Sequence, residues 1–343
     1  MASKAKIRRE ALNRQGSEME FRGRQYHIEG NCRVAVFQSG GEGIVHRLVD
    51  SSDSQNVLRL KVFFNPTEER RVRTELLVGQ RLSSTKGTRA DPLVSAPLAT
   101  IPLTGESRFG VVMREAPGLD WRCLKEQGDC APKWPQMEQR ISMAYGLVTA
   151  VERLERARLA HADLSPGNVV VVPDGNECGT VSLVDFDSFV SLDGGTTTLR
   201  DHRGSPGYAA PEVWTGGTVT LGTDRFTLAI LIQEMLLCGD SGLDRSSRFG
   251  CFYDQDALIG GHELPHPEFR CRYKNLAALL GRALTARPEA RPAPAEWRTH
   301  LRNEWDQGRG GANRPTGGLL GYALKRMKNI YAPQVQADAS YSR

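Results

Sequence analysis

Apolar and polar positions alternate with a period of two over "CRVAVFQ", "GIVHRLVD" and "NVLRLKVFF", the signature of strands with one buried face. The polar run "SSDSQN" between the last two reads as a turn. From "RQYHIEG" onward the chain therefore predicts an antiparallel meander. The period changes in "NPTEERRVRTELLVGQRLSS", which predicts a helix with Asn65 as N-cap, Pro66 in the first turn and acids early. Extended segments return through "RFGVVMREAPG". Beyond Pro135 the spacing becomes helical, as in "MEQRISMAYGLVTAVERLERARLA".

These patterns divide the chain into a flexible basic leader over 1–20, a strand-rich part over 21–116, a helix-rich part over 117–303, and a Gly-rich linker with a basic tail over 304–343. The fold class is α+β, with a hinge between Arg114 and Asp120. No internal repeat is visible. Composition narrows the class further. Hydrophobic residues are 39% and charged residues 25% of 343, the balance of a globular protein with a buried core. A net charge of +5 with scattered arginines argues against nucleic acid as partner. No run reaches the about 18 apolar residues of a membrane helix, since "FTLAILIQEMLL" is interrupted by Gln233 and Glu234. The N-terminus lacks the apolar stretch of a signal peptide. Seven cysteines without a Cys-x-x-Cys pair fit reduced thiols and a cytoplasmic location. The basic amphipathic segment "LLGYALKRMKNIY" suits an acidic partner, a membrane surface or plain solvent.

Four stretches carry chemistry. The glycines of "QSGGEGIVHRLV" let backbone N–H groups approach an anion, although a hairpin turn has the same composition. Lys61 projects from the apolar strand "VLRLKVFF", either snorkelling from an edge or buried and paired. Glu75, fourteen residues on in the predicted helix, is the partner such a pair calls for. In "HADLSPGN" a carboxylate at Asp163 and an amide at Asn168 share one tight loop, where they can orient a hydroxyl and a metal ion. Asp185 ends the apolar strand of "VSLVDFDSFV", a position suited to a magnesium ligand. Taken singly, each of these acids also reads as a cap or turn residue.

Together, and in this order from about residue 34 to about residue 300, the stretches resemble the eukaryotic-type Ser/Thr protein kinase family. "GGEGIV" is similar to the family's glycine loop at Gly40, Gly43 and Val45. "LRLKVF" resembles the strand whose lysine, here Lys61, binds the α- and β-phosphates, and "TELLVGQRL" the helix carrying its partner Glu75. "VVMREAPGLD" resembles the adenine strand and hinge, with Met113 as gatekeeper and Asp120 beside the ribose. "HADLSPGN" is similar to the catalytic loop, with Asp163 as base and Asn168 as metal ligand. "DFD" supplies the main metal ligand, Asp185. "GSPGYAAPE" resembles the segment that ends the activation loop, Asp224 the aspartate that braces the catalytic loop, and Arg291 the partner of Glu212. The resemblance implies a bilobal protein-kinase-like fold, with an antiparallel sheet and one main helix in the N-lobe and a mainly helical C-lobe. It also implies ATP and Mg²⁺ as cofactors and transfer of the γ-phosphoryl group to Ser/Thr hydroxyls of a protein substrate, the chain itself included.

The chain departs from the family at several positions. Gln38 stands at the first loop glycine, Ala162 at the arginine before the base, Ser165 at the lysine that touches the γ-phosphate, and Asp187 at the glycine after Asp-Phe. Ala162 makes it a member lacking the usual Arg-Asp pair and removes the phosphate reader of the activation loop. Losing the lysine cation costs on the order of 10²–10³ in rate if nothing replaces it. Two alternatives follow: a pseudokinase serving as a nucleotide-binding or scaffold module, and a small-molecule phosphotransferase of the choline or aminoglycoside type. The second generally lacks the Ala-Pro-Glu segment found here.

Overall fold

The computed structural model describes residues 17–29, 43–63, 67–78, 94–103, 109–127, 134–172, 181–193, 197–198, 204–239, 252–284 and 287–306. The strand expected in "CRVAVFQ", Gly40 of the glycine cluster and the tail over 307–343 lie outside these residues. Apart from Val94, the described residues up to Glu115 form one compact unit, and those from Ala116 form, with Val94, a second. The division falls inside the stretch Arg114–Asp120 expected to be the hinge.

The first unit is a six-stranded sheet in the order β1-β2-β3-β4-β6-β5, antiparallel throughout. Its strands are β1 (Glu18–Phe21), β2 (Arg24–Ile28), β3 (Gly43–Asp50), β4 (Val57–Phe63), β5 (Pro97–Pro102) and β6 (Phe109–Arg114). β1 begins at Glu18, inside the stretch 1–20 expected to be a leader. One face buries Ile44, Leu48, Leu58, Leu60, Val62 and Val112 against Phe21, Tyr26 and Ile28. Alternation along each strand sends the intervening residues to the other face. Helix α1 (Glu68–Leu77) is capped by Thr67, whose Oγ1 accepts the Arg70 N–H at 3.2 Å, so its start lies beyond the expected cap Asn65.

Buried Asp50 closes the β3–β4 turn. It accepts from Arg24 at 2.7 Å, from Asn56 at 2.8 Å and from the Ser52 N–H and hydroxyl at 2.8 and 2.6 Å. Burial alone would raise its pKa, but hydrogen bonds from Ser52, Arg24 and Asn56 outweigh burial and hold the carboxyl well below the usual carboxylate range.

In the second unit, β7 (Leu119–Asp120) leads into α2 (Trp121–Gln127), and α3 (Met137–Arg156) into β8 (Leu159–Ala160). A short 3₁₀ turn over Pro166–Asn168 precedes the hairpin of β9 (Val169–Val171) and β10 (Val181–Leu183), and β11 (Val190–Ser191) follows. Further on come α4 (Pro211–Trp214), α5 (Leu221–Leu237), α6 (Gln255–Ile259), α7 (Pro267–Arg272), α8 (Lys274–Ala283) and α9 (Pro294–Glu304). β7 pairs with β9, and the approach requires Gly118: its φ is +112°, and a Cβ there would meet the Val171 carbonyl at 2.2 Å. The core is α3 packed on α5 and α9. α5 is apolar nearly all round and buried nearly all round, as that pattern demands. No helix among the described residues is long and apolar enough to cross a membrane.

Candidate active site

Strand register gathers the described nucleotide-binding candidates of the first unit, Gly43, Val45, Lys61 and Met113, on one face. Lys61 sits mid-β4 opposite Val45 on β3 and Val111 on β6. Gly43, Val45, Lys61, Val111 and Met113 fall on the face opposite the main core by alternation. Phe63, Phe109, Val111 and Met113 pack there as a second apolar cluster. Lys61 is 6% exposed, and its Nζ lies 5.5 Å from the centre of the Phe63 ring. Gly43 is needed for close approach, because a Cβ would stand 2.6 Å from the Val62 carbonyl oxygen.

Glu75 is the exception in this unit. Its carboxylate accepts from Arg71 at 2.6 Å and from Thr100 Oγ1 at 3.0 Å, and it is exposed. Arg71 also pairs with Glu68 one turn earlier. The helix buries Thr74 and Leu77, and the Arg70 guanidinium lies 4.9 Å from the Phe63 ring. The residue expected to partner Lys61 is thus held by Arg71 of its own helix and Thr100 of β5 instead.

In the second unit, three predicted residues come together on adjoining loops. The β9–β10 register sets Val169 opposite Leu183, which places Asn168 and Val184 side by side just before and after the hairpin strands. Val184 N–H donates to the Asn168 carbonyl at 3.0 Å, and His161 Nε2 bonds the Val184 carbonyl at 3.0 Å. Asp185 follows at once. Asn168 Nδ2 donates to the Asp163 carbonyl at 2.7 Å, tying the two ends of "DLSPGN". That leaves the Asn168 side-chain carbonyl as the oxygen donor of the pair.

Both Ala162 and Asp185 adopt left-handed backbone, with φ of 62° and 63°. For residues with a Cβ this persists only when the surroundings enforce it. At Ala162 the enforcement is visible: buried Asp224 accepts the N–H groups of His161 and Ala162 at 2.6 and 3.0 Å. Burial pushes the Asp224 carboxyl up, while those bonds act the other way. His161, Phe186 and Phe189 stack behind the loops, with Phe186 and Phe189 ring centres 4.1 Å apart.

Asp120 accepts the Cys123 N–H at 2.8 Å and so caps the start of α2. Burial, then Asp120, pushes the Cys123 thiol up to about 12. Glu212 and Arg291 form a two-pronged ion pair at 2.7 and 2.8 Å, and Arg291 also donates to the Gly222 carbonyl at 2.9 Å.

Two features went unpredicted. Ser205 Oγ donates to Asp163 Oδ1 at 3.1 Å, which sets a hydroxyl against the predicted base. Glu234, noted in the sequence only as a break in an apolar run, is fully buried. It accepts from Lys125 at 3.0 Å, Tyr208 at 2.5 Å and Trp121 at 3.2 Å. Gln255 holds the same segment, accepting from Gly207 N–H at 2.9 Å and donating to the Ala209 carbonyl at 3.1 Å. The available signal was a charge beside Gln233 inside an otherwise apolar run, since a buried charge requires a partner.

Residues 113–303 match the model of the protein kinase domain. The serine/threonine-protein kinase PknK of Mycobacterium tuberculosis is 26% identical over 275 residues, 78% of this chain and 23% of that protein. A probable myosin light chain kinase of Dictyostelium discoideum is 29% identical over 141 residues, 41% of this chain and 39% of that one. Human rhodopsin kinase is 31% identical over 90 residues, 26% of this chain and 15% of that protein. The matches span between 15% and 39% of the length of these curated relatives. Among solved structures, the kinase domain of Mycobacterium tuberculosis PknI has the same fold, with a TM-score of 0.54 at 19% identity, covering 83% of this chain and 98% of that one.

Proposed function

This chain belongs to the protein kinase family, and on that premise we propose that it transfers the γ-phosphoryl group of ATP to serine or threonine hydroxyls of a protein substrate, itself included. The observation that carries the proposal is the hydrogen bonding that ties Asn168 to the Asp163 carbonyl and to Val184, the residue before Asp185, so that all three site residues stand on adjoining loops. Asp163 is the base: it orients the acceptor hydroxyl and takes its proton. The Ser205 hydroxyl at 3.1 Å from Oδ1 supports this role, because a donor already reaches the carboxylate at general-base distance.

Magnesium takes oxygen donors and keeps phosphate and water in its shell. The Asp185 carboxylate and the Asn168 side-chain carbonyl fit that preference. Two oxygen donors leave the other coordination positions to phosphate and water, so this site suits an ion that arrives with its nucleotide. Bound Mg-ATP supplies the phosphoryl group and neutralises charge on the phosphates. Lys61 would hold the α- and β-phosphates, and Glu75 would become its partner on release from Arg71 and Thr100. Gly40 and Gly43 would offer backbone N–H groups to the phosphates, Val45 and Met113 would serve the adenine, and Asp120 the ribose. Positioning and charge account for the rate, since the protein supplies little covalent chemistry. The cytoplasm is the location we assign. The basic segment over 319–331 is assigned to an acidic partner.

A thermal-shift titration with ATP, with and without Mg²⁺, followed by mass spectrometry of the incubated protein, tests the proposal. Mg²⁺-dependent stabilisation with phosphate on serine or threonine is expected. Binding without phosphate on the chain or on any added protein contradicts it.

A further inference from the structure

Arg122 lies on α2, exposed, beside the loop that carries Asp163 and Asn168. Glu126 stands one turn on at i+4, a spacing at which arginine and glutamate ordinarily pair. No such pair forms, and among the described residues no other group accepts from the Arg122 guanidinium. The side chain turns to Gly167 instead. A Cβ on Gly167 would stand 3.2 Å from Arg122 Cζ and Nη2 and 3.5 Å from Nη1. Near-equal distances to the three atoms mean that the guanidinium lies face-on against the loop backbone. The missing side chain at Gly167 makes room for it.

A planar guanidinium stacked by its face keeps its N–H edge available, and that edge matches the two oxygens of a carboxylate or phosphate. The loop itself brings no cation, because Ser165 is a buried hydroxyl. Gly167 belongs to the loop that carries Asp163 four residues earlier, so the guanidinium packs on the same loop as the residue assigned as base.

Resting on the kinase assignment above, we propose that Arg122 is a specificity-determining residue. It reads an acidic or phosphorylated side chain close in sequence to the acceptor serine or threonine, and so selects acidic protein segments. The shared chemistry is a pair of anionic oxygens, offered by aspartate, glutamate or phosphoserine.

The test uses the full chain with Mg-ATP and synthetic serine peptides. Each flanking position carries in turn aspartate, phosphoserine, alanine or lysine. The readout is the ratio of kcat/KM for acidic over neutral peptides at each position. At one or more positions the wild type should favour the anionic peptide on the order of tenfold or more, the scale of a charge-assisted hydrogen bond. Arg122→Ala should bring that ratio near one, and Arg122→Glu should turn the preference toward lysine. Glu126→Gln, on the same helix, should keep the wild-type ratio. The aspartate and phosphoserine arms separate a carboxylate reader from a phosphate reader. A wild-type ratio near one at every position overturns the inference, as does a ratio that Arg122→Ala leaves unchanged. A loss equal for acidic, neutral and basic peptides also overturns it, because it points to nucleotide rather than substrate. Phosphate on the chain without peptide preference defeats this inference alone. No transfer to any peptide or to the chain defeats the kinase assignment with it.

Discussion

The Glu75 carboxylate lies 2.6 Å from Arg71 in its own helix, and Thr100 Oγ1 donates to it at 3.0 Å. Pairing with Lys61 requires Glu75 to leave both. The pair with Arg71 is exposed and spaced i,i+4, a weak attachment. Arg71→Ala is therefore expected to raise kcat/KM for ATP, by about twofold. Initial-rate kinetics with varied ATP check this, and a fall in kcat/KM would show that Arg71 supports the reacting state.

Ser205 gives a second expectation. Its hydroxyl fixes the Asp163 carboxylate through the 3.1 Å bond. Ser205→Ala is expected to lower kcat by about tenfold or more, the scale of one hydrogen bond to a charged group acting in the transition state. Ser205→Thr keeps the hydroxyl and should retain most of the rate. Equal losses in the two variants, measured as kcat at saturating ATP, would separate Ser205 from the base.

Stability depends on the buried pair of Lys125 and Glu234. Lys125→Met leaves Glu234 charged and buried without its cation, which costs roughly 3–5 kcal/mol. The double variant Lys125→Met/Glu234→Gln removes the uncompensated charge and should recover a large part of that loss. Urea denaturation of the four proteins measures both steps, and additive losses in the double variant would contradict the coupling.

Asp50 links stability to pH. Its folded pKa lies below the unfolded value of about 3.9, so its stabilisation is present above that pH and is lost as pH falls below it. Asp50→Asn is expected to be less stable than wild type near neutral pH, and the gap should narrow once the pH drops below about 4. Urea midpoints across that range check the sign. A gap that widens in acid would refute the assignment.

Much of this arrangement was legible in the sequence because it depends on short-range rules. Alternation in "VLRLKVF" is enough to place Lys61 on the face of Val45 and Met113 once β3, β4 and β6 pair in register. Asn168 and Asp185 flank the two strands of one hairpin, so their meeting follows from local pairing. What failed to show depends on rotation and on distant partners. α1 is only weakly amphipathic, and nothing in "EERRVRTELL" says that Thr74 and Leu77 turn inward while Glu75 stays with Arg71. Glu234 looked like a flaw in an apolar run until Lys125, more than a hundred residues away, was placed against it. Ser205 carries no periodic signal at all, since a single serine in a Gly-rich segment is an ordinary turn residue. The early start of β1 escaped for a similar reason. "EMEF" is half charged, and it is recruited by pairing with β2 rather than by its own apolar content.

The most direct measurement is phosphoryl transfer from radiolabelled ATP with Mg²⁺, comparing wild type with Asp163→Ala and Lys61→Ala. Wild type is expected to label protein on serine or threonine, with Lys61→Ala and Asp163→Ala reduced on the order of 10²-fold or more. Equal labelling by all three proteins would contradict the assignment of this site.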